Sequence, residues 1–483
     1  MCHSGRFMRD FLFRRKKLEE ISLGRTGRFP LYRSVTVDLK TRASHTYVVG
    51  VSGKGKSKLL ESLLYQDITA GRGVGLIDPH SQLADDLLRL LVTKGLLDNP
   101  KILDKIIYVD PARTDYIIPF NVLATAGEEP YDIAASVVEA FRRTWPLSLR
   151  EAPHFTNVIM AALLVLIHHR LTLMDMPRLL TNKEYRESLL QAVNDQSVIE
   201  FFHDRFDRWG REAPLLRESV LNKIGAFNLN PRLKLMLGQK TNHLDFRQIM
   251  DEGKILILDL GHCDTETNRL IGSLVVTGLE MAMRRRTNDR LWNLTIDEFA
   301  GYVANEGSAK TLAHVLSEGR KFRMSMTVAH QNLSQLTEKI IGAISNVQTK
   351  VIFGVGRYDA EYLAKLIGKV DPEEVKRDPK TTNQHELFAN LMEQWEGWID
   401  QMRFQPDRKA LVSVGNKPVQ QIVTLKIPKY TATEAQIEQL RIYSAYKNGV
   451  VYDIAMKENE IINTAAEAPG SFPITLIPAY EIT

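Results

Sequence analysis

The chain has 483 residues, more than one hydrophobic core usually supports, so we expect two or three domains. With 44% hydrophobic and 25% charged residues, its composition is that of a globular protein and excludes the disordered and fibrous classes. The formal net charge of +5 is mildly basic, so it permits a nucleic-acid partner without arguing for one.

Residues 1–45 are predicted to form a basic N-terminal segment. Four consecutive cations, RRKK at 14–17, follow a short apolar patch, FLF at 11–13. The segment lacks the long apolar region and the small-residue cleavage site of a signal peptide. We interpret the cations as the solvated face of a helix. Contact with a nucleic-acid backbone and docking to a membrane surface or a partner are the alternatives.

Cysteine usage and hydropathy bear on where the protein works. Cys2 and Cys263 are the only cysteines, too few for a disulfide scaffold or a cysteine-ligated zinc site, which favours a reducing compartment. The longest apolar run, VIMAALLVLI at 158–167, is too short to span a bilayer and predicts a buried core helix. We therefore expect a cytoplasmic chain without a transmembrane segment, with peripheral binding at the inner face of the cytoplasmic membrane as an alternative.

The stretch YVVGVSGKGKSKLL, residues 47–60, matches the phosphate-loop pattern GxxxxGK[ST]. Glycines let backbone N–H groups converge on an anion, and the helix that starts near Lys56 points its positive dipole end at the same place. We expect Lys56 to reach the β- and γ-phosphates and the Ser57 hydroxyl to ligate Mg²⁺. The predicted nucleotide-contacting residues are Gly50, Ser52, Gly53, Lys54, Gly55, Lys56, Ser57 and Lys58. A merely flexible loop is the alternative.

From 46 to 118 strand and helix signals alternate, which predicts the first part of a doubly wound α/β core with a mostly parallel sheet. The strand HTYVVG precedes the helix from Lys56, and GVGLIDP precedes a helix for which Ser81 is the expected N-cap and Gly95 the stop. KIIYVDP is the next strand.

Residues 119–252 carry apolar residues at three-to-four spacing and no strand signal, which predicts an inserted all-α domain. Strand and helix signals resume over 253–429, the second part of the core. Residues 430–483 are expected to form a C-terminal helix and an extended tail.

A phosphate loop needs a carboxylate at the end of a neighbouring strand, to organise Mg²⁺ and the attacking water. Four apolar runs end in aspartate: Asp78, Asp110, Asp259 and Asp297. Only the last is followed by a glutamate. We expect Asp297 to hold the metal and Glu298 to act as the base, with Asp78 as the rival and Asp259 as an ordinary strand-end residue.

Three further residues are candidates for the hydrolytic site. Gln331 ends the strand MTVAHQ, where an amide could sense a γ-phosphate or orient a water; hydrogen bonding to a loop is the alternative. Arg357, just after a strand, and Arg320, in SEGRKF, are candidate arginine fingers that would reach a neighbouring subunit's nucleotide. Ordinary solvation is the alternative for both arginines.

Two clusters favour structural roles. His168 and His169 are adjacent on a helix and point apart, so we interpret them as helix-end residues and not as metal ligands. RRR at 284–286 ends a helix, where cations suit the dipole, and nucleic-acid contact is the alternative.

Five segments together resemble the HerA/FtsK superfamily of DNA-pumping ATPases, and within it the type IV coupling proteins of conjugation, the TraD-like group. They are GVSGKGKS, GVGLIDPHSQLADDLL, LTIDEFAGYV, EGRKFRMSMTVAHQNLSQL and ISNVQTKVIFGVGRYDAEYLAKLIG. The resemblance covers about residues 45–425 and implies a RecA-like P-loop core that assembles into a ring, often a hexamer. It implies ATP at subunit interfaces and DNA in a central channel. By matching motif it assigns Lys56 and Ser57 to phosphate and Mg²⁺, Asp297 and Glu298 to the acidic motif, and Gln331 to the sensor.

The chain departs from that family in two respects. Membrane-anchored coupling proteins begin with transmembrane helices, and this sequence has none, so we expect a separate membrane anchor or a relative that works elsewhere. Gly354 stands directly after a phenylalanine, where many relatives have arginine.

Three functions are consistent with the motifs. The first is an ATP-driven DNA translocase of conjugative or mobile-element transfer, with a relaxase and type IV secretion channel components as partners. The second is a HerA-like helicase in repair or anti-phage defence. The third is a nucleotide-switched docking module that recruits substrates to a secretion channel.

Overall fold

The computed structural model describes residues 19–27, 31–124, 127–145, 153–208, 213–302, 306–373 and 390–458. The described chain forms two compact units. Unit 1 contains the described residues of 1–110, 131–160 and 245–444, and unit 2 those of 111–130, 161–244 and 445–483. The chain thus passes between the two units five times, and at 160/161 and 444/445 the boundary lies inside a helix.

The strands, numbered along the chain, are β1 Glu20–Thr26, β2 Arg33–Asp38, β3 Thr46–Val49, β4 Gly73–Asp78, β5 Ile106–Val109, β6 Tyr116–Ile117, β7 Ile255–Asp259, β8 Trp292–Ile296, β9 Met324–His330, β10 Thr349–Ile352, β11 Lys409–Val414, β12 Gln420–Val423 and β13 Val450–Val451.

The helices are α1 Leu39–Arg42, α2 Lys56–Thr69, α3 Gln82–Thr93, α4 Pro100–Leu103, α5 Pro130–Thr144, α6 Pro153–His168, α7 Met176–Thr181, α8 Lys183–Leu190, α9 Gln196–Glu200, α10 Ala213–Asn228, α11 Pro231–Gly238, α12 Phe246–Asp251, α13 Thr265–Met283, α14 Glu306–Glu318, α15 Glu338–Ser345, α16 Arg357–Ile367, α17 Leu391–Arg403 and α18 Glu434–Asn448. Short 3₁₀ turns lie at Leu96–Asp98, Leu173–Asp175, Phe206–Arg208, Phe299–Tyr302, Gly319–Phe322 and Leu333–Gln335, and a π-turn at Phe201–Arg205.

Unit 1 is built on one sheet of eleven described strands, in the order β2-β1-β12-β11-β10-β3-β9-β8-β4-β7-β5. The seven strands from β10 to β5 run parallel, and the other four extend the sheet in antiparallel pairs. Crossover helices connect the parallel strands, since such strands cannot be joined by a hairpin. The predicted α/β core with a mostly parallel sheet is confirmed.

The central strands are short apolar runs buried on both faces. TYVV of β3, ILILD of β7 and WNLTI of β8 are buried at every position, as expected where helices cover both sides of a parallel sheet. Helix α3 buries its leucines against the sheet and exposes its polar side. Strands β11 and β12 lie within the apolar stretches KALVSVG and QQIVTLKIP.

Unit 2 consists of helices and one two-stranded ribbon, β6 with β13. One of its hydrophobic clusters contains Ile117, Leu235 and Ala455. An isolated bridge joins Phe120 to Asn242. Among the described residues between 119 and 252 no ladder of strands occurs, in agreement with the helical periodicity.

The extent of the helical unit differs from the predicted insertion at 119–252. Helix α5 belongs to unit 1, where the Trp145 indole N–H donates to Glu266 Oε1 at 2.7 Å. Helix α12 also belongs to unit 1, because Phe246 packs against Gly278. Helical periodicity shows that a segment has an apolar face but not which core that face meets. The exact domain boundaries therefore stay a prediction.

The described part of the predicted basic N-terminal segment belongs to the sheet and is not a separate segment. Residues 20–38 form the pair β1 and β2, which extends the sheet next to β12. The register shifts between Ser22 and Gly24, which breaks the alternation that would have identified β1 as a strand. The cations at 14–17 lie outside the described residues.

Ser81 does not cap α3 as expected. It has a left-handed backbone and makes no capping hydrogen bond, and its hydroxyl donates to Asp259 Oδ1 at 2.5 Å instead. Asp78 takes the capping role, because its Oδ2 accepts the Ala84 N–H at 2.8 Å. Gly95, which follows the end of α3 with φ +62°, ends the helix as predicted.

Candidate active site

The strand order brings the predicted motifs to one edge of the sheet. Strands β3, β9, β8 and β4 are consecutive neighbours and parallel, so their carboxyl ends lie side by side. The phosphate loop follows β3, Gln331 follows β9, Asp297 follows β8, and Asp78 ends β4. Ligands of open α/β sheets bind at this edge.

The loop between β3 and α2 has the backbone of an anion cradle. Gly53 and Gly55 have φ of +80° and +108°, where a side chain would strain the backbone. A Cβ added to Gly50 would lie 2.6 Å from the Phe353 Cβ, so the loop needs a glycine there to pass β10. Helix α2 starts at Lys56, directly after the turn. Its N-terminal N–H groups are available to an anion.

Lys56 is buried at the base of this loop. Its ammonium donates to the Gly50 carbonyl at 2.6 Å and to the Val51 carbonyl at 3.3 Å. Burial lowers the pKa of Lys56, and the charges of Glu298 and Asp297 act against that shift. The ammonium therefore lies within the electrostatic reach of the acidic pair.

The other predicted loop residues divide into two groups. Ser52 and Gly53 are exposed and Ser57 is half-buried at the first turn of α2. Lys54 pairs with Asp407 at 2.9 Å. Lys58 is held away from the loop, since its ammonium contacts Glu61, Asp86 and the Tyr430 hydroxyl. The structure does not bring the Lys58 amine to the phosphate loop.

Asp297 and Glu298 leave β8 with different environments. Asp297 is 8% exposed. Burial raises its pKa to about 6, and the nearby charges of Asp78 and Glu298 add to the rise. Glu298 has φ +47°, a left-handed backbone that is uncommon outside glycine. That turn lets two adjacent side chains leave the strand in different directions, and the Glu298 N–H donates to Asp297 Oδ1 at 3.0 Å.

Gln331 contacts the acidic pair directly. Its side-chain amide donates from Nε2 to Glu298 Oε1 at 2.7 Å. The two residues are 33 positions apart and meet because β8 and β9 are adjacent and parallel. The amide thus contacts the carboxylate at the same end of the sheet as the phosphate loop.

The other strand-end aspartates are engaged in structural contacts. Asp78 accepts the N–H groups of His80 and Ala84, and its pKa is raised by burial and by Asp259. Asp259 accepts the hydroxyls of Ser81 and Tyr108 at 2.5 and 2.7 Å. These contacts support the interpretation of Asp259 as an ordinary strand-end residue, and they give Asp78 a helix-capping role.

The two candidate finger arginines lie at opposite edges of the sheet. Arg357 begins α16, after β10, and pairs with Glu361 and Glu396 at 2.9 Å each. Arg320 is exposed and precedes β9. The seven residues of β9 separate it from the phosphate edge by roughly 20 Å. Within the described part of the chain, neither guanidinium forms a hydrogen bond with the phosphate loop.

A segment that sequence reasoning missed supports the loop from outside. Between α17 and β11, the Arg408 N–H donates to the Lys54 carbonyl at 3.0 Å, and Arg408 has φ +63°. The Asp407 carboxylate holds the Lys54 ammonium. No motif marks this segment, because its role depends on β11 returning to the sheet beside β10.

These residues fit a nucleotide phosphate and a hard cation. The cradle has one glycine, Gly50, where a Cβ would clash, two glycines with positive φ, a buried ammonium and two adjacent carboxylates. Magnesium in such sites takes one or two protein ligands and completes its shell with phosphate and water. Accordingly, among the described residues no group of three or more His, Cys, Asp or Glu side chains could hold a metal alone. Ser57 and Asp297 are the residues that would contact Mg²⁺.

The histidine pair and the arginine run lie outside this site. His169 Nε2 lies 2.8 Å from the Leu189 carbonyl in a helix-end contact. Arg286 is almost fully buried, with its guanidinium bonded to Asp251 and to the carbonyls of Arg323 and Arg290. Within the described chain, therefore, Arg286 is structural, and Arg284 is the exposed neighbour.

No helix in the described parts of the chain is by itself both long and apolar enough to cross a membrane. One bent pair, Thr156–His168 with Leu173–Thr181, reaches the required length and composition only when its two helices are taken together.

Comparison with known proteins gives one family model and several folds. Residues 292–402, from β8 to the end of α17, match the family model described as the TraM recognition site of TraD and TraG. No curated protein matches the chain.

The solved structures with the same fold include coupling proteins. The bacterial conjugative coupling protein TrwBdeltaN70, unbound, has 18% identity and a TM-score of 0.56, covering 82% of this chain and 89% of its own. The plasmid coupling protein TrwB in complex with ADP and Mg²⁺ has 18% identity and a TM-score of 0.55, covering 82% and 88%. VirB4 of Thermoanaerobacter pseudethanolicus has 16% identity and a TM-score of 0.53, covering 84% and 96%.

At these identities the matches establish the fold, which is the RecA-like P-loop fold of TrwB and VirB4. The family match adds the segment that carries Asp297, Glu298, Gln331 and Arg357. Together they confirm the resemblance drawn from the motifs, which is to the type IV coupling P-loop ATPases of the HerA/FtsK type.

Proposed function

We propose that the chain is an ATP-driven, ring-forming DNA translocase that couples ATP hydrolysis to DNA movement in conjugative or mobile-element transfer. The observation that carries the proposal is the convergence at one sheet edge of the glycine cradle, the buried Lys56, the Asp297–Glu298 pair and Gln331. Such an edge supplies what phosphoryl transfer needs, which is positioning and electrostatic stabilisation.

ATP and Mg²⁺ are the proposed ligands. Support comes from the cradle itself and from TrwB, whose fold this chain shares and which has been solved with ADP and Mg²⁺. The loop N–H groups and Lys56 bind the phosphates, while Ser57 and Asp297 hold the cation's shell. The nucleotide supplies the phosphoanhydride bond whose hydrolysis releases free energy.

Glu298 is the proposed base and Gln331 the proposed sensor. The carboxylate of Glu298 accepts a proton from water, and its left-handed backbone aims it away from the metal-binding Asp297. The Gln331 amide, which now donates to Glu298 Oε1, is the group that can exchange this contact for one to a phosphate oxygen.

Ring assembly would complete the site with an arginine from a neighbouring subunit. Arg357 lies at the same sheet edge as the phosphate loop, is half exposed, and is held by two carboxylates that keep it oriented. Arg320 lies at the opposite edge of the sheet. It would act as an arginine finger only if that edge of one subunit faced the nucleotide of its neighbour. Arg357 is therefore the preferred candidate.

The proposed partners are DNA, further copies of the chain in a ring such as a hexamer, and the relaxase and channel of a type IV secretion system. The match of residues 292–402 to a TraM recognition site supports a place among conjugation components.

The same match favours one second candidate, a nucleotide-switched docking module. A segment described as a recognition site overlaps the catalytic strands, so nucleotide binding at Asp297 could order a surface that recruits another protein. Such a module would hydrolyse ATP weakly and without regard to DNA.

ATP hydrolysis by the purified full chain, with and without single- and double-stranded DNA, tests both candidates. We expect DNA to raise the turnover at least several-fold, and Glu298→Gln to lower it by about 10² to 10³ while nucleotide still binds. Glu252→Gln is the matched control, because Glu252 is half exposed and contacts Lys254 before β7, at the opposite edge of the sheet.

DNA binding measured at 50 and 200 mM salt gives an independent reading, since phosphate contacts make affinity fall steeply with salt. Turnover that ignores DNA, together with salt-insensitive or absent DNA binding, would reject the translocase in favour of the docking module. Wild-type turnover in Glu298→Gln would reject the assignment of the base.

A further inference from the structure

The buried link between the phosphate-loop strand and the sensor strand is not used by the mechanism above. Tyr47 lies on β3 and His330 ends β9, and both side chains are fully buried. Their rings lie 5.4 Å apart, and the Tyr47 hydroxyl is 2.7 Å from His330 Nε2. A buried polar pair at a strand end needs a reason, since each member would be costly alone.

The protonation state of His330 follows from its partners. Its Nδ1 lies 3.0 Å from the Asn332 carbonyl, which can only accept, so Nδ1 carries the hydrogen. Burial lowers the pKa of His330 to about 4, so the ring is neutral at physiological pH. Nε2 is then an acceptor, and the Tyr47 hydroxyl donates to it.

Two further contacts converge on the same turn. The Phe299 ring meets the His330 ring edge to face at 5.3 Å, and Phe299 is the residue directly after Glu298. The Leu333 N–H donates to Asp359 Oδ1 at 3.3 Å. The backbone from His330 to Leu333 is thus fixed from β3, from the turn after β8 and from α16.

Gln331 lies inside this fixed segment, and its amide donates to Glu298. An amide on a long, rotatable side chain holds one carboxylate oxygen only if its backbone is immobile. The contacts of His330 named above hold this backbone in place, and they are made to residues outside the phosphate loop.

We propose that Tyr47 and His330 are positioning residues of the hydrolytic site, whose buried hydrogen bond fixes the turn after β9 and so holds the Gln331 amide against Glu298. The inference rests on the proposed function. It adds a direct mechanical connection from the phosphate-loop strand to the proposed sensor.

The test compares Tyr47→Phe with Tyr108→Phe in the full chain. Tyr108 is a matched control, because it is also a buried tyrosine on a parallel strand, and its hydroxyl donates to a carboxylate, Asp259, outside the proposed site. We expect Tyr47→Phe to lower kcat about tenfold, the size of one lost hydrogen bond in the reacting assembly, and to leave the affinity for a fluorescent ATP analogue within about twofold. Tyr108→Phe should leave both within about twofold.

A double-mutant cycle separates positioning from general destabilisation. If Tyr47 acts through Gln331, adding Tyr47→Phe to Gln331→Ala should lower kcat less than about twofold further. Full multiplication of the two losses would overturn the proposal, and so would wild-type kcat in Tyr47→Phe.

Hydrogen exchange of the nucleotide-free protein gives a readout that does not need turnover. The peptide over 329–336 should exchange faster in Tyr47→Phe than in wild type and be unchanged in Tyr108→Phe. A wild-type chain that hydrolyses no ATP would reject the proposed function alone. Unchanged exchange in Tyr47→Phe would reject the positioning role whatever the turnover.

Discussion

At the scale of single residues, the charge state of Asp297 depends on burial next to Asp78 and Glu298. An aspartate with a folded pKa of about 6 and an ordinary unfolded pKa binds an extra proton in the folded state between those values. Its contribution to stability therefore falls as the pH rises from about 4 to about 6. Bound Mg²⁺ would instead favour the deprotonated form of Asp297, because a cation stabilises the carboxylate charge.

We predict that the free energy of unfolding of nucleotide-free wild type, relative to Asp297→Asn, falls by up to about 3 kcal/mol between pH 4 and pH 7. Urea denaturation across that range measures it. Asp289→Asn, at a side chain that is 99% exposed, is the control and should follow wild type. Parallel profiles for Asp297→Asn and wild type would contradict the raised pKa.

Gly53 lies in the phosphate loop, and Gly71, which lies outside it, is a matched control. Their φ angles are +80° and +74°, and a Cβ at either would meet nothing within 4 Å. Alanine at each should cost about 1 kcal/mol of stability from backbone strain alone. Only Gly53→Ala should also weaken nucleotide binding, by about tenfold if one loop contact is lost. Chemical denaturation measures the stability of each variant, and titration with a fluorescent nucleotide measures its affinity. Equal nucleotide affinities in the two variants would argue against the loop as the phosphate site.

At the scale of elements, the end of α13 is held by one buried side chain. Arg286 connects it to α12 through Asp251 and to the start of β9 through the Arg323 carbonyl. Arg284, two residues earlier, is about half exposed, and its guanidinium contacts Glu280 and His314. One arginine of the run therefore stabilises the packing of elements, while another is available to solvent.

We predict that Arg286→Ala lowers the free energy of unfolding by about 3 kcal/mol, because it removes the buried ion pair with Asp251 and the hydrogen bonds to the carbonyls of Arg323 and Arg290. Arg284→Ala should change it by less than about 0.5 kcal/mol. Thermal or chemical unfolding measures the difference. Loss of DNA binding in Arg286→Ala with unchanged stability would instead favour the nucleic-acid alternative for this position.

For the whole molecule, ligand binding should raise the free energy of unfolding. A nucleotide that binds only the folded chain stabilises it by RT ln(1 + [L]/Kd), about 2.7 kcal/mol at a hundredfold excess over Kd. We predict that ATP with Mg²⁺ raises the Tm of wild type by a few degrees, given the length of the chain. Lys56→Ala, which removes the buried ammonium from the loop, should abolish most of that rise.

Differential scanning fluorimetry with ATP, with and without Mg²⁺, measures this shift. Lys58→Ala is the matched control, since the Lys58 amine is held by Glu61 and Asp86 and does not face the loop. A shift lost equally in both variants would contradict the distinction between the two lysines.

The local chemistry of the site could be predicted from short stretches of sequence. Gly50 to Ser57 and the Asp297–Glu298 pair lie in single short stretches, where spacing along the chain already sets spacing in space. The same holds for the alternation of buried strands and helices, because apolar periodicity reports local backbone geometry. Tight motifs and periodic elements were therefore predictable from residues alone.

Which distant residues come into contact depends on the tertiary fold. Gln331 touches Glu298 because β9 and β8 are neighbours, and the segment at 405–408 supports the loop because β11 returns beside β10. Lys58 is only two residues from Lys56, yet its amine points away from the loop because Asp86 of α3 and Tyr430 supply its partners. Strand order and helix packing are set by contacts summed over the whole core, and no short stretch of sequence contains that sum.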